Sequence, residues 1–136
     1  MADEIDFTLF TPMTMCVIGP TFSGKTEFVL DLIKRRHEIT LDRLEKVIYV
    51  YTEMQQRFKD FAAENPDVTF TNKLDEVEQM AKENTLIVFD DLMMNFQGPQ
   101  NDFITEFFIK GAHHKKYSVI LILQVICTRL VNLNGT

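Results

Sequence analysis

The chain has 136 residues, 46% hydrophobic and 25% charged, with 12 Phe but only 5 Gly and 4 Pro. Residues 1–136 are therefore expected to form a single domain with a real apolar core, which excludes a disordered tail or two separate cores. The 14 Lys and Arg against 20 Asp and Glu leave a net charge of −6. That excludes a basic coat for duplex DNA, whose binding rests on many cation–phosphate contacts, and leaves only local basic patches open.

Taken in chain order, the acidic start Met1-Ala2-Asp3-Glu4-Ile5-Asp6 lacks the layout of a signal peptide. The longest apolar run, residues 119–123, is too short to span a bilayer. The expectation is an intracellular chain, not secreted, with no membrane partner. Two cysteines, Cys16 and Cys127, make no disulfide framework, and their apolar neighbours predict small buried hydrophobes.

Residues 13–18 form an apolar run ending at Gly19, as expected of a strand buried on both faces. Over residues 25–37, Phe28, Val29, Leu32 and Ile33 fall on one helical face, and Lys34, Arg35, Arg36 and His37 collect at the C-terminal end, where positive charge is favoured. Residues 47–51 (Val-Ile-Tyr-Val-Tyr) predict a second strand. Thr52 with Gln55 reads as a capping box, opening a helix that buries Phe58, Phe61 and Ala62 and stops at Pro66. Glu53, Gln55 and Gln56 are read as the start of that helix rather than as ligand contacts. A short strand over 68–70 and a short helix marked by Leu74, Val77 and Ala81 follow. Residues 85–89 predict a buried strand that ends in Asp90 and Asp91. Residues 93–101 read as a loop, and Asn101 caps a helix carrying Phe103, Ile104, Phe107 and Phe108 that Gly111 ends. Residues 117–123 predict the last strand, closing at Gln124. Strands alternating with helices imply an α/β fold, a mostly parallel sheet with helices on both faces.

Gly19-Pro20-Thr21-Phe22-Ser23-Gly24-Lys25-Thr26 fits G-x-x-x-x-G-K-[ST] between a strand and a helix. In such a loop successive backbone N–H groups turn inward on a phosphate. Gly19 and Gly24 allow close approach, Lys25 carries charge to the β/γ-phosphates, Thr26 offers a hydroxyl to Mg²⁺, and the next helix aims its positive end at the anion. The fold expected is a P-loop NTPase three-layer sandwich.

A triphosphatase needs a carboxylate near Mg²⁺ and a group that orients water. The apolar strand ending in Asp90-Asp91 supplies both: Asp90 for the Mg²⁺ shell, Asp91 for the attacking water. Gln124 ends its strand on the edge where open parallel sheets bind ligands. In P-loop ATPases that insert an extra strand between the loop strand and the acidic strand, a polar residue there senses the γ-phosphate. Asn72-Lys73-Leu74-Asp75 matches a guanine-reading pattern, but it precedes the acidic strand, so guanine specificity is not supported. Lys110, His113, His114, Lys115 and Lys116 read as a solvated basic loop, with a nucleic-acid or subunit contact as the sharper reading. His113-His114 lacks companions at zinc-ligand spacing, and Met93-Met94 reads as adaptable packing.

Several segments together resemble one family. They are residues 15–26, the stretch Val47-Ile48-Tyr49-Val50-Tyr51 with Glu53 and Gln55, Val88-Phe89-Asp90-Asp91-Leu92-Met93, Phe107 to His114, and Tyr117-Ser118-Val119-Ile120 with Gln124. The chain is similar over residues 13–124 to the viral genome-packaging ATPases of the poxvirus and Polinton (Maverick) type, within the FtsK–HerA superfamily. The loop is generic, whereas the Asp-Asp-Leu-Met and Gly-x-His-His blocks with the terminal Gln are more specific. The resemblance implies ATP hydrolysis with Mg²⁺ by a homo-oligomeric ring that moves double-stranded DNA into a capsid, in cytoplasm, nucleus or virion. It gives Lys25 and Thr26 to phosphates and Mg²⁺, Asp90 and Asp91 to the roles above, and Gln124 to sensing. The family continues after its sensor strand with Gln-Asn, a Gly-Lys-rich loop, an arginine and a further strand and helix. Here Val125 follows Gln124 and the sequence closes at Thr136, with Arg129 the counterpart of the arginine region. The expected sheet therefore lacks its last strand or strands. The rival expectations are a nucleotide-binding remnant with little turnover and, below it, a small nucleoside or nucleotide kinase.

Overall fold

A computed structural model describes residues 8–20, 22–40, 43–93 and 115–124, the side chains of 91–93 excepted. The elements in order are β1 (Thr14–Gly19), α1 (Lys25–Lys34), α2 (Arg36–Ile39), β2 (Lys46–Val50), α3 (Gln56–Glu64), β3 (Val68–Thr71), α4 (Leu74–Met80), β4 (Thr85–Met93) and β5 (Ser118–Gln124). The five strands form one all-parallel sheet in the order β1-β5-β4-β2-β3. The fold is α/β, with helices against both faces.

Side-chain parity sorts the core. Val47 and Tyr49 of β2, Leu86 and Val88 of β4, and Ile120 and Ile122 of β5 meet Val29, Leu32 and Ile33 of α1 and Phe58 and Phe61 of α3. Their odd-even partners, Ile48, Val50, Ile87, Phe89, Val119, Leu121 and Leu123, meet Val77 of α4 on the opposite face. The placement follows from handedness. The chain moves outward from β1 to β2 and on to β3, then turns back to β4, and right-handed crossovers put α4 on the other face once the direction reverses. Continuous apolar runs in β2, β4 and β5 are what a sheet covered on both sides needs.

Four expectations are corrected. β1 is not buried on both faces: Thr14, Cys16 and Ile18 are exposed, while Met13, Met15 and Val17 pack inward. The reason is position, since β1 ends the order of described strands and among the described residues only the α1 side covers it. Cys16 is accordingly an exposed free thiol; Cys127 lies outside the described residues. Second, the helix over residues 25–37 breaks at Arg35 (φ −101°, ψ 12°), and Arg36 opens α2 and is buried instead of closing α1. It is 3% exposed, donates to the carbonyls of Ile33 (2.9 Å) and Leu44, and pairs with Asp67. Third, Thr52 makes no capping box. Helix α3 begins at Gln56 behind an extended Gln55, with no side-chain cap bond. Fourth, β4 does not end at the acidic pair but continues to Met93. It runs through Asp90 and Asp91, and the register against β5 slips there: Phe89 faces Leu121 but Leu92 faces Leu123, one extra residue in β4. Met93, expected to open a loop, instead ends β4; the rest of that loop (94–101), the helix after Asn101, the basic residues Lys110, His113 and His114, and Arg129 lie outside the described residues. Lys116 of the same cluster pairs with Glu83 at 3.3 Å. Among the described residues, no helix is long and apolar enough to cross a membrane.

Candidate functional site

Parallel strands bring their carboxyl ends to one edge, where β1, β5 and β4 finish level: Gly19 faces Gln124, and Gln124 faces Met93. The loop from Gly19 to Gly24 leaves that edge and enters α1. Gly24 stands at the helix N-cap with φ 86° and ψ 15°, a left-handed conformation natural to glycine. A Cβ on Gly19 would lie 2.8 Å from Ser23 Oγ, so a side chain there has to displace the Ser23 hydroxyl. Phe22 also takes a positive φ, 65°, and its ring is fully exposed. Thr21 lies outside the described residues.

Lys25 folds back over this loop, its ammonium donating to the carbonyls of Gly19 and Pro20 at 2.8 Å each. The first intrahelical bond of α1 runs from Phe28 N–H to Gly24 O. Helix geometry thus leaves the N–H groups of residues 25–27 without an intrahelical acceptor, at the positive end of the helix dipole.

Asp90 shares its parity with Leu86 and Val88 and so faces α1. Thr26, the second residue of that helix, donates its hydroxyl to Asp90 Oδ2 at 3.3 Å. The same oxygen accepts from the Tyr49 hydroxyl at 2.5 Å. All three side chains are buried, Tyr49 completely and Asp90 to 6% exposure. Burial first, then the charge of Asp90 and the bond to it, push the Tyr49 phenol far above its ordinary value. Arg57 and Thr26 oppose that shift without reversing it. Tyr49 is therefore a fixed donor, and it holds the carboxylate toward Thr26.

Thr26 and Asp90 open into a cleft of about 570 Å³ lined by residues 22–27, Gln55, Arg57, Asp90, Ile122 and Gln124, within the size range of small-molecule sites. Phe22, Ser23, Gly24, Lys25, Thr26, Asp90 and Gln124, each expected from the sequence, share it; Gly19 and Pro20 reach it through their carbonyls on Lys25. The Asp91 backbone lies next to Asp90 in β4. Its side chain lies outside what is described.

A hydroxyl and a carboxylate 3.3 Å apart are hard oxygen donors suited to Mg²⁺, which takes one or two protein ligands and completes its shell with water and phosphate. Among the described residues no group of three or more His, Cys, Asp or Glu is placed to hold a metal alone.

Sequence reasoning missed Tyr49 and Arg57, and for Gln55 it weighed a nucleotide contact but favoured a helix start, whereas Gln55 lines the cleft. Parity within residues 47–51 was visible, but the register of β2 on β4, which sets Tyr49 opposite Val88 and within reach of Asp90, was not. No protein-family model matches the chain, and a comparison with curated proteins finds no match.

Proposed function

We propose that this chain is a P-loop ATPase that binds ATP with Mg²⁺ and hydrolyses it. The observation that carries the reading is the contact of Thr26 with Asp90, which joins the helix after the glycine loop to the carboxyl-terminal half of β4. The two residues are 64 positions apart in the chain, yet they meet where the motif requires a metal-binding hydroxyl and carboxylate. Further support comes from the strand order, in which β5 lies between the loop strand β1 and the acidic strand β4 and ends in Gln124 at the cleft.

On this reading the loop amides and Lys25 hold the phosphates, and Thr26 and Asp90 hold Mg²⁺, which supplies charge neutralisation at the transferring phosphoryl group. Tyr49 keeps Asp90 oriented. Asp91 orients the water that attacks the terminal phosphorus as the bond to the bridging oxygen breaks, and Gln124 contacts the terminal phosphate. The family resemblance extends the proposal to a homo-oligomeric ring acting on double-stranded DNA.

The test is calorimetric titration with ATP in the presence and absence of Mg²⁺, together with phosphate release with and without duplex DNA, each against Lys25→Ala. The expected result is Mg²⁺-dependent binding lost in the variant, and DNA-stimulated release. Binding without stimulated release favours the nucleotide-binding remnant. No binding at all overturns the proposal.

A further inference from the structure

The cleft has two cationic side chains among its described lining residues, and the phosphate loop accounts for only Lys25. The other is Arg57, the second residue of α3. Because α3 follows β2, Arg57 stands across Asp90 from the loop in the strand order β1-β5-β4-β2. Its guanidinium pairs with Glu27, the residue after Thr26. Its Nε donates to Gln55 Oε1 at 2.6 Å, and its plane lies 5.7 Å from the centroid of Phe58, a ring anchored in the core. Gln55 and Phe58 thus set the fork from behind while Glu27 occupies its front.

The pair with Glu27 is solvent-exposed, 39% on the arginine and 63% on the glutamate. Such pairs hold weakly and exchange readily. A phosphate group carries more charge than a carboxylate and offers more acceptor oxygens to the planar fork, which binds it bidentately.

We propose that Arg57 reads the terminal phosphate of a bound nucleoside triphosphate, with Glu27 as its resting partner that the phosphate displaces. The inference rests on the nucleotide reading of the cleft and adds to it a means of telling triphosphate from diphosphate. Loop amides and Lys25 anchor the phosphate chain from the β1 side. The end of that chain, directed past Asp90 toward β2, meets the guanidinium. A diphosphate held by the same loop stops short of it. Glu27 therefore acts as a competitor: removing its charge frees the fork and favours triphosphate.

The experiment measures dissociation constants for Mg·ATP and Mg·ADP in wild type, Lys25→Ala, Arg57→Ala, Arg57→Lys and Glu27→Gln, with circular dichroism and thermal melting to establish that each variant is folded. Arg57→Ala is expected to weaken ATP about ten-fold or more while leaving ADP within about two-fold. Arg57→Lys is expected to recover part of the difference, since lysine keeps the charge without the fork. Glu27→Gln is expected to tighten ATP a few-fold and leave ADP unchanged. A folded Arg57→Ala protein with the wild-type ratio of ATP to ADP affinity overturns the inference, as does an equal loss of both nucleotides. If wild type binds neither nucleotide, the cleft reading falls and the inference with it. If wild type binds both and Lys25→Ala neither, the cleft reading stands and the ratio in Arg57→Ala decides the inference alone.

Discussion

Replacing Tyr49 with phenylalanine isolates the hydroxyl that orients Asp90. The ring keeps its neighbours, with Phe58 and Phe70 at centroid distances of 5.1 and 5.0 Å, so packing is unchanged and the lost group is one donor on a buried carboxylate. A hydrogen bond to a charged acceptor contributes about 1.5–3 kcal/mol, and part of that is offset because the variant no longer buries a polar hydroxyl. Tyr49→Phe is expected to lose about 1–2 kcal/mol in urea denaturation at pH 7. The pH dependence supplies a second, independent signature. In the folded protein burial and Asp90 hold the phenol protonated well above its ordinary range, whereas in the unfolded chain it loses its proton near pH 10. Above that pH the native state binds the extra proton, so alkali favours unfolding by about 1.4 kcal/mol per pH unit through this residue. The contribution is fully present below about pH 10 and fades above it. Tyr49→Phe lacks this titration and keeps every other, so the stability gap between the two proteins should shrink between pH 10 and 11. A gap that stays constant from pH 7 to 11, or no gap at pH 7, would refute the account of Tyr49 as the fixed donor to Asp90.

Five further substitutions test the loop and the frame around it. Gly24→Ala meets no atom within 4 Å but must adopt φ 86°, and is expected to cost about 1–2 kcal/mol through the backbone alone, measured by urea denaturation. Gly19→Ala drives a methyl against Ser23 Oγ at 2.8 Å; adding Ser23→Ala should recover part of the lost stability, and a double variant no better than the single one contradicts the steric reading. Arg36→Met removes a buried guanidinium from three backbone carbonyls and Asp67, and about 3 kcal/mol should be lost. Asp67→Asn, on a half-exposed partner, should lose about 1 kcal/mol or less in the same assay, and equal losses would contradict the account of Arg36 as a buried hub.

The order of elements was legible because each depends on a local pattern. β2, β4 and β5 read as continuous apolar runs, and α1 and α3 as one-sided helices. What failed depended on neighbours. β1 is an apolar run like the first half of β4, yet its Cys16 face is exposed because β1 ends the described sheet order. Arg36 sits in a run of four basic residues, where a solvated helix end is the natural reading. Only the approach of residues 44 and 67 turns it inward. Thr52 and Gln55 have the spacing of a capping box, but a helix starting there conflicts with where the chain leaves β2, and α3 starts one turn later.

The site divides in the same way. Residues 22–26 were legible since the glycine-loop motif draws its groups from one contiguous stretch, and Asp90 since it interrupts an apolar strand. Tyr49 and Arg57 belong to a segment whose relation to the loop is set only when β5 and β4 come between β1 and β2. A tyrosine in a β-branched strand is expected to be core, and Tyr49 is core; its ring packs with Phe58 and Phe70 while its hydroxyl serves Asp90. The same residue therefore satisfies the hydrophobic pattern and the polar site, and the pattern hides the site. Parity offers a way to find such residues in advance. Once an acidic strand end is assigned to the face of the glycine-loop helix, a polar-tipped aromatic of matching face on the adjacent strand, near its carboxyl end, becomes a candidate partner for the carboxylate. In residues 47–51 Tyr49 and Tyr51 share that face. Tyr49, level with Val88, is the one whose hydroxyl bonds Asp90, two positions further along β4.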